Sequence, residues 1–358
     1  MKILIDLTSL ADNFSGIERF AACLTLEMVN HEDHQFVLVF KEQVHPIFRE
    51  AVSKPHVEAM ILNRCNKLLF NQLRLPLAIS RCKADACLFM AFPVPVLLFK
   101  KNMISTIHDI CCWDCPETMN TMSKWYFRIS HWVAMKKCSK IITISEFSRQ
   151  RIMQRLGYPG GKLPVIFCGI DSKFFTPANP ASVREKYNLP EDYVLSLSTL
   201  EPRKNLQLLV KAYEALILEG NTLPPLVLAG RKGWKMDDLL EGIAAQVVEK
   251  LHFTGFIDDE DLPAIYAGAK LFVFPSKYEG FGIPPLEAMA AGCPVLSSDA
   301  ASLPEVLADA ASYFESENLE SLKFALLLAL RNPKTADLQA QAGKFQWNEE
   351  AKKLLQYL

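Results

Sequence analysis

The amino-acid sequence predicts an α/β fold made of two doubly wound domains, and three observations support this prediction. Short apolar segments rich in strand-forming residues alternate with helical segments along the first half of the chain. A polar, proline-containing stretch (172–192) interrupts the pattern, and the alternation then begins again. At 358 residues, the chain is long enough for two hydrophobic cores. Such alternation is typical of parallel sheets with helices on both faces.

The individual elements follow from this alternation. The first half predicts the strands KILIDL, QFVLVF, ACLFMA, MISTIHD and KIITIS, with helices near GIERFAACLTLEMV and TMSKWYFRISHWVAMKKC. The second half predicts the strands YVLSLST, PLVLAG, LHFTGF and KLFVFPS, with the helices NLQLLVKAYEALIL, DDLLEGIAAQVVEK and DDEDLPAIYAGA. FQWNEEAKKLLQYL predicts a final helix. We therefore expect domains at 1–171 and 172–340, a terminal helical segment at 341–358, and a linker in the polar stretch.

Composition narrows the class of protein. Half of the residues are apolar and 22% are charged, as in a folded globular protein. The N-terminus turns acidic at Asp6, unlike a signal peptide, and the longest apolar run (88–99) contains two prolines and is too short to span a bilayer. Ten cysteines agree with a reducing compartment, so we expect a cytoplasmic protein. Cys112 and Cys115 have the C-x-x-C spacing, but no second pair follows, so ordinary thiols are expected rather than zinc ligands.

One stretch, SKYEGFGIPPLEAMAAGCPVLSSD (276–299), predicts a ligand site. It joins the strand AKLFVFPS to a glycine-rich loop, a helix and a second strand, which makes a βαβ unit. Ligands of open α/β sheets bind at such strand-to-helix loops, and free N–H groups at a helix start favour phosphate. Glu287, expected in the first helical turn, suits ribose hydroxyls, while Glu279 precedes the loop. Either glutamate alone fits equally well a plain helix-start or solvated loop charge.

The stretch EGFGIPPLEAMAAGCPV resembles the E-x7-E signature of retaining glycosyltransferases with the GT-B fold, the large family 4 group. The resemblance implies two Rossmann-like doubly wound domains facing a central cleft, with a C-terminal helix crossing back to the first domain. It implies that Glu287 binds the nucleotide ribose and that Glu279 contacts the donor sugar. It also implies that the backbone around Phe281, Gly282 and Ile283 approaches the sugar and diphosphate.

Further segments match the same family. STLEPRKN (198–205) follows a strand and resembles the donor-phosphate motif, with Lys204 and Arg203 as the cations that stabilise the departing diphosphate. Many members carry an arginine where this chain has Ser198, and an exposed basic helix start is the alternative. In the first domain the resemblance implies a catalytic His108 close to the donor sugar and substrate contacts for Asp109 and Gly16. A histidine that follows a strand is more often structural, which is the alternative for His108. In the second domain it implies a base-binding position at Gly230, with Arg231 and Lys232 as weaker candidates.

The expected function is transfer of a sugar, with retention, from a nucleotide donor to a glycan or lipid-linked acceptor. GDP-mannose is the favoured donor, and no cofactor, essential metal or nucleic-acid partner is expected. The Asp258–Asp261 run is interpreted as acidic helix-start residues. A sugar-nucleotide epimerase or hydrolase of the same fold, and a non-catalytic nucleotide-sugar-binding protein, are the alternatives.

The distribution of charge adds a hypothesis about membranes. Residues 60–170 carry 16 Lys and Arg against 5 Asp and Glu, often beside apolar residues. This pattern predicts electrostatic, peripheral binding to the inner face of an anionic cell membrane, through cations that include Arg64, Lys67, Arg74 and Arg81. A solvated basic face without a partner is the alternative.

Overall fold

The structure is a computed structural model that describes residues 1–11, 14–66, 69–91, 94–199, 201–231 and 239–358. It contains two compact units. Unit 1 comprises Met1–Gly169 and Gln346–Leu358, and unit 2 comprises Ile170–Phe345. Each unit has one six-stranded sheet whose observed pairings are all parallel. The predicted fold class, two doubly wound α/β units, is confirmed.

Unit 1 has the strand order β3-β2-β1-β4-β5-β6. Its strands, β1 to β6, are Lys2–Asp6, Gln35–Lys41, Val57–Leu62, Ala86–Phe89, Met103–Thr106 and Lys140–Ile142. Its helices, α1 to α5, are Gly16–Met28, Leu75–Arg81, Cys111–Asp114, Thr121–Lys137 and Glu146–Leu156. A π-helical turn, Phe70–Arg74, leads directly into α2. The order of the strands reverses between β1 and β4, the place where doubly wound sheets open a crevice at their carboxyl ends.

Unit 2 repeats this topology with the strand order β12-β11-β10-β7-β8-β9. Its strands, β7 to β12, are Val194–Leu197, Leu226–Ala229, Leu251–Gly255, Leu271–Phe274, Val295–Ser298 and Ser312–Phe314. Its helices, α6 to α13, are Ala181–Arg184, Leu206–Leu218, Ala245–Val248, Leu262–Gly268, Ile283–Ala290, Leu303–Leu307, Leu319–Arg331 and Leu338–Ala342. The order reverses between β7 and β10, so the loops that follow these two strands lie side by side.

The last helix, α14 (Trp347–Leu355), belongs to unit 1 and packs against α1. The ring of Trp347 lies 6.0 Å from the ring of Phe20, and a side chain at Gly169 would collide with the Trp347 backbone. The backbone N–H of Phe167 donates to the Glu350 carboxylate at 2.9 Å. The segment assigned to unit 1 begins at Gln346, whereas the sequence predicts a terminal segment from residue 341.

Two local predictions are wrong. The stretch 172–192 is not a free linker, because Phe174, Val183 and Leu189 are buried in unit 2. The helix predicted over 237–250 is helical only at Ala245–Val248 among its described residues. Gly242 has φ +76°, a left-handed conformation that interrupts a helix.

Some predicted residues lie outside the described ranges, among them Lys67 and Lys232. Within the described residues, no helix combines the length and the apolar character that crossing a membrane requires.

Candidate active site

The sheet topology of unit 2 brings the two predicted motifs together. Lys204 and Arg203 lie in a short 3-10 turn, Pro202–Lys204, which follows β7, and Glu279 lies in the loop that follows β10. The Lys204 ammonium donates to one oxygen of the Glu279 carboxylate at 2.6 Å, and the Arg203 guanidinium donates to the other at 2.9 Å. The Lys277 N–H also donates to the Arg203 carbonyl at 2.9 Å. The two loops therefore form one hydrogen-bonded cluster.

Glu279 is ionised in spite of its burial. Removal from water disfavours its charged form, but Arg203 and Lys204 outweigh that effect and lower the pKa of Glu279 to about 2. Burial also lowers the pKa of Lys204, and Glu279 offsets part of this shift. The Lys204 ammonium further lies over the ring of Phe274, 5.1 Å from its centroid. The cluster is thus a buried arrangement of paired charges at the carboxyl edge of the sheet.

Arg203 has a second carboxylate partner. Its guanidinium donates to Glu201 at 2.8 and 3.1 Å and to the Tyr278 carbonyl at 2.8 Å. The fork-shaped guanidinium therefore joins the turn after β7 to the loop after β10 from both sides. This network fixes Arg203 and leaves Lys204 as the cation with fewer protein partners.

The loop between the two glutamates is held in an unusual backbone conformation. Gly282 has φ +105°, and a side chain there would lie 2.7 Å from the Leu303 side chain. The buried Ser302 hydroxyl lies 3.0 Å from the Glu279 carbonyl and 3.1 Å from the Phe281 carbonyl. Only glycine fits this position without strain.

Helix α10 begins at Ile283, directly after this loop. Its next two residues are Pro284 and Pro285, which have no N–H group. Of the four N–H groups that a helix start leaves without an intrahelical partner, only those of Gly282 and Ile283 therefore exist here. These are two of the three positions that the sequence resemblance assigns to the diphosphate.

Glu287 is the fifth residue of α10, not a first-turn residue as the sequence predicts. Stabilisation by the helix dipole fades beyond the first turn, so it does not account for this carboxylate. Glu287 is buried instead, and the Tyr266 hydroxyl donates to it at 3.1 Å. Neither Tyr266 nor Ser302 is recognisable from the sequence, because their contacts with the motif span 21 and 23 residues.

Gly230 follows β8 and has a structural reason to be glycine. It has φ +134°, and a side chain there would lie 1.9 Å from the Ser198 carbonyl oxygen. The close approach of two neighbouring strand ends therefore requires glycine, whether or not this residue also contacts a nucleotide base. Arg231, the next residue, lies over the ring of Phe256 at 4.4 Å.

In unit 1, His108 and Asp109 follow β5. The Nε2 atom of His108 lies 2.8 Å from the Met90 carbonyl, and its ring packs edge-on against Phe20 at 5.1 Å. Burial lowers the pKa of His108, although the Met90 carbonyl and Asp109 oppose the shift. A neutral ring that donates from Nε2 keeps a lone pair on Nδ1. Asp109 accepts from the Cys111 N–H at 2.8 Å.

Gly16 is the first residue of α1, and no atom lies within 4 Å of a side chain built there. The protein itself therefore leaves open space at this position, unlike the crowded Gly230. The predicted approach of this loop to a diphosphate stays a prediction.

The C-x-x-C pair has ordinary protein contacts. All ten cysteines are free thiols. The Cys112 sulfur lies 3.8 Å from Nδ1 of His131, and burial raises the pKa of this thiol to about 12. Among the described residues, no group of three or more His, Cys, Asp or Glu is arranged to hold a metal ion.

In the Asp258–Asp261 run, Lys186 pairs with Asp258 at 2.7 Å and with Asp261 at 2.6 Å.

Comparison with solved structures supports the fold class. The sucrose-phosphate synthase of Thermosynechococcus elongatus superposes with a TM-score of 0.75 at 18% identity, over 99% of this chain and 98% of its own. At this identity the likeness concerns the fold, which is that of the GT-B glycosyltransferases.

Comparison of sequences identifies the family. Residues 181–346 match the model for glycosyl transferases group 1, and residues 14–174 match the model for Glycosyltransferase Family 4. O-antigen chain mannosyltransferase B of Escherichia coli is 36% identical over 256 residues, which is 69% of this chain and 67% of that protein. The serotype-specific mannosyltransferase WbdA of Escherichia coli is 32% identical over 63% of this chain, but the match spans only 29% of WbdA. The chain belongs to the family 4, group 1 glycosyltransferases, and it is an enzyme of the hexosyltransferase type.

Proposed function

We propose that the enzyme transfers mannose from GDP-mannose to a lipid-linked glycan acceptor, with retention of configuration, during synthesis of a surface polysaccharide. The observation that carries the proposal is the buried cluster of Lys204, Arg203 and Glu279 beside the loop that leads to Glu287. The choice of mannose and of an O-antigen-like product rests on the names of the two relatives.

The positive charge of the cluster suits a departing diphosphate. Cleavage of the bond between sugar and phosphate places negative charge on the leaving group, and fixed cations stabilise it. The ammonium group of Lys204 has three N–H donors, of which Glu279 takes one at 2.6 Å. The remaining donors, together with the N–H groups of Gly282 and Ile283, supply contacts for phosphate oxygens. We therefore propose that the reaction needs no essential metal ion and no cofactor.

The electrostatics of Glu279 favour front-face attack over a covalent intermediate. A carboxylate with a pKa of about 2, engaged by two cations, is a weak nucleophile. We therefore propose that Glu279 contacts the donor sugar and orients Lys204, and that the leaving phosphate accepts the proton of the acceptor hydroxyl. Glu287 is proposed to bind the ribose, and His108 is proposed to contact the donor sugar through its Nδ1 side.

The acceptor and the location of the enzyme complete the proposal. The excess of Lys and Arg in residues 60–170 fits an acceptor carried on an anionic lipid at the inner face of the cell membrane. Such an enzyme would bind the membrane peripherally.

One experiment separates the candidate functions. The purified enzyme is incubated with GDP-mannose and, in parallel, with other nucleotide sugars, each with and without a lipid-linked glycan acceptor. Acceptor-dependent release of GDP, with an α-linked product by NMR and full activity in EDTA, is expected. Release of free sugar without acceptor would instead identify a hydrolase or epimerase, and binding without turnover would identify a non-catalytic protein. Loss of turnover in the variant Lys204→Ala, but not in the control Lys270→Ala, would show that turnover depends on the cluster.

A further inference from the structure

Helix α4 (Thr121–Lys137) exposes an apolar face to solvent. Met122, Trp125, Ile129 and Trp132 follow one another at helical spacing, and Trp125 and Trp132 are 56% and 59% exposed. Spacings of three and four residues place these side chains on one side of a helix. A row of large exposed apolar side chains is uncommon on a soluble protein and marks an interaction surface.

Two neighbouring segments of unit 1 extend this face. Leu69, Leu73 and Leu77 are exposed along the π-turn and α2, and Phe99 is 80% exposed in the loop before β5. The Gln72 carboxamide accepts from the Val96 N–H at 2.9 Å. The Lys137 ammonium donates to the Leu98 carbonyl at 2.8 Å and lies 3.8 Å from the centroid of the Phe99 ring.

These contacts tie the π-helical turn that precedes α2, the 96–99 loop and α4 to one another. We define the apolar face by its exposed members: Leu69, Leu73, Leu77, Val96, Leu97, Phe99, Met122, Trp125, Ile129 and Trp132.

A cavity of about 960 Å³ in unit 1 opens beside the apolar face. Its polar part contains Asp6, Thr8 and Ser9 at the carboxyl end of β1, where ligands of doubly wound sheets bind. Its apolar wall includes Val96 and Ile129, which are also exposed members of the apolar face. Shared residues place an opening of the cavity at that face. The cavity therefore suits an amphiphile that has a polar head and an apolar tail.

Charge identifies the partner of the face. Arg74 and Arg81 are exposed in the same chain segment as Leu73 and Leu77, and Lys101 and Lys136 are exposed within a few residues of Phe99 and Trp132 in sequence. Residues 60–170 as a whole carry 16 Lys and Arg against 5 Asp and Glu. A second copy would bring like charges together, whereas an anionic bilayer offers opposite charge to the cations and an apolar interior to the tryptophans.

We propose that the apolar face inserts into the headgroup region of an anionic bilayer, so that the amphiphilic acceptor enters the cavity from the membrane. The membrane docking stands on the exposed side chains and charges alone, and the uptake of the acceptor rests on the proposed function. The mode of binding differs from the purely electrostatic one predicted from sequence, because inserted tryptophans keep the protein on the bilayer when salt screens the charges.

Vesicle binding by the full chain tests the proposal. Binding is measured by co-sedimentation with vesicles of phosphatidylglycerol and phosphatidylethanolamine, and with phosphatidylcholine vesicles, at low salt and at about 0.5 M salt, where the screening length falls to a few ångströms. The variant Trp125→Ser/Trp132→Ser is compared with Phe324→Ser/Leu328→Ser, whose exposed side chains lie on α12 of unit 2. The wild type should bind the anionic vesicles, and part of the binding should survive the higher salt. The tryptophan variant should lose at least about tenfold in partitioning, and the control variant should not.

The outcomes separate this proposal from the proposed function. GDP affinity of the tryptophan variant, measured by calorimetry, should equal that of the wild type, because neither tryptophan lines the cavity or belongs to the cluster of unit 2. Unchanged vesicle binding in the tryptophan variant overturns the docking face, whether or not the enzyme transfers mannose. Complete loss of wild-type binding at high salt overturns insertion in favour of electrostatic attachment. Concentration-dependent dimers that the tryptophan variant abolishes in sedimentation velocity overturn the bilayer as the partner.

Discussion

Lys204 and Glu279 form a buried ion pair of 2.6 Å between the ends of two strands, β7 and β10, that are neighbours in the sheet, although the two residues are 75 positions apart in sequence. Both side chains are at most 11% exposed. Removing one partner of a buried ion pair strongly destabilises a protein, because the other charge then stays buried without compensation. Here Arg203 also contacts Glu279, so the carboxylate keeps one cation when Lys204 is removed.

This second contact makes Lys204→Ala a clean test of the cation. The variant should fold, because Arg203 still donates to Glu279, although Arg203 also pairs with the partly exposed Glu201. If Lys204 stabilises the leaving diphosphate, turnover should fall at least about a hundredfold, the scale of removing one oxyanion donor, while donor affinity changes far less. Steady-state rates and calorimetric donor binding give the two quantities. Lys270→Ala, in which the lost ammonium pairs with the exposed Asp192, should keep normal turnover. Equal losses in binding and turnover would assign Lys204 to binding alone.

Glu287 and Tyr266 allow a graded test of the ribose site. Glu287→Ala should weaken GDP binding by about 1–3 kcal/mol, the scale of hydrogen bonds to a charged group. Tyr266→Phe removes only the hydroxyl that orients this carboxylate at 3.1 Å, so a loss of about 1 kcal/mol or less is expected. Calorimetry with GDP measures both, and the melting temperature reports whether each variant is folded. Glu185→Ala, at an exposed position of unit 2, is the control. An unchanged affinity in Glu287→Ala would remove this residue from the nucleotide site.

His131 predicts how stability depends on pH. Burial lowers its pKa to about 4, with partial opposition from Asp109 and a further lowering by His108. Below the unfolded pKa of about 6.5, the unfolded chain binds a proton that the native state does not bind, so native stability should fall as the pH decreases from about 6.5 to 4. The fall attributable to His131 should be about 3 kcal/mol, because each tenfold difference in proton affinity between the native and unfolded states corresponds to about 1.4 kcal/mol.

Urea unfolding of the full chain at several pH values measures this effect. His131→Gln should reduce the dependence between pH 6.5 and 4, to which the buried His108 also contributes, whereas His31→Gln, at a partly exposed site, should preserve it. A slope unaffected by His131→Gln would mean that the native state does not lower the pKa of this histidine.

Much of the fold and of the site could be predicted from sequence, for identifiable reasons. The strands of both sheet centres are short apolar runs, and their carboxyl ends meet at the switch point, so Lys204 and Glu279 had to be neighbours. The edge strand β3 (Val57–Leu62) was not predicted, because it is not a continuous apolar run: it contains the charged Glu58, and only Val57 is buried. Ser302 and Tyr266 were not predicted either, since a long-range hydrogen bond leaves no local pattern. The prediction that Glu287 lies in the first helical turn was wrong because the helix begins at Ile283, before the two prolines. Pro284 and Pro285 are its second and third residues, and Glu287 is its fifth.

Gly230 separates a structural requirement from a functional one. A methyl group at this position would lie 1.9 Å from the Ser198 carbonyl oxygen, and the alanine backbone would have to adopt φ +134°. Gly230→Ala should therefore destabilise unit 2 by about 2–5 kcal/mol. Gly220 has φ +88° with no atom within 4 Å of an added methyl, so Gly220→Ala should cost only about 1–2 kcal/mol. Urea unfolding gives both values, and GDP titration of the folded fraction shows whether the Gly230 variant loses nucleotide affinity as well. Equal destabilisation by the two substitutions would mean that the Ser198 carbonyl moves aside. In that case the positive φ of Gly230, and not the contact with Ser198, would account for the cost of the substitution.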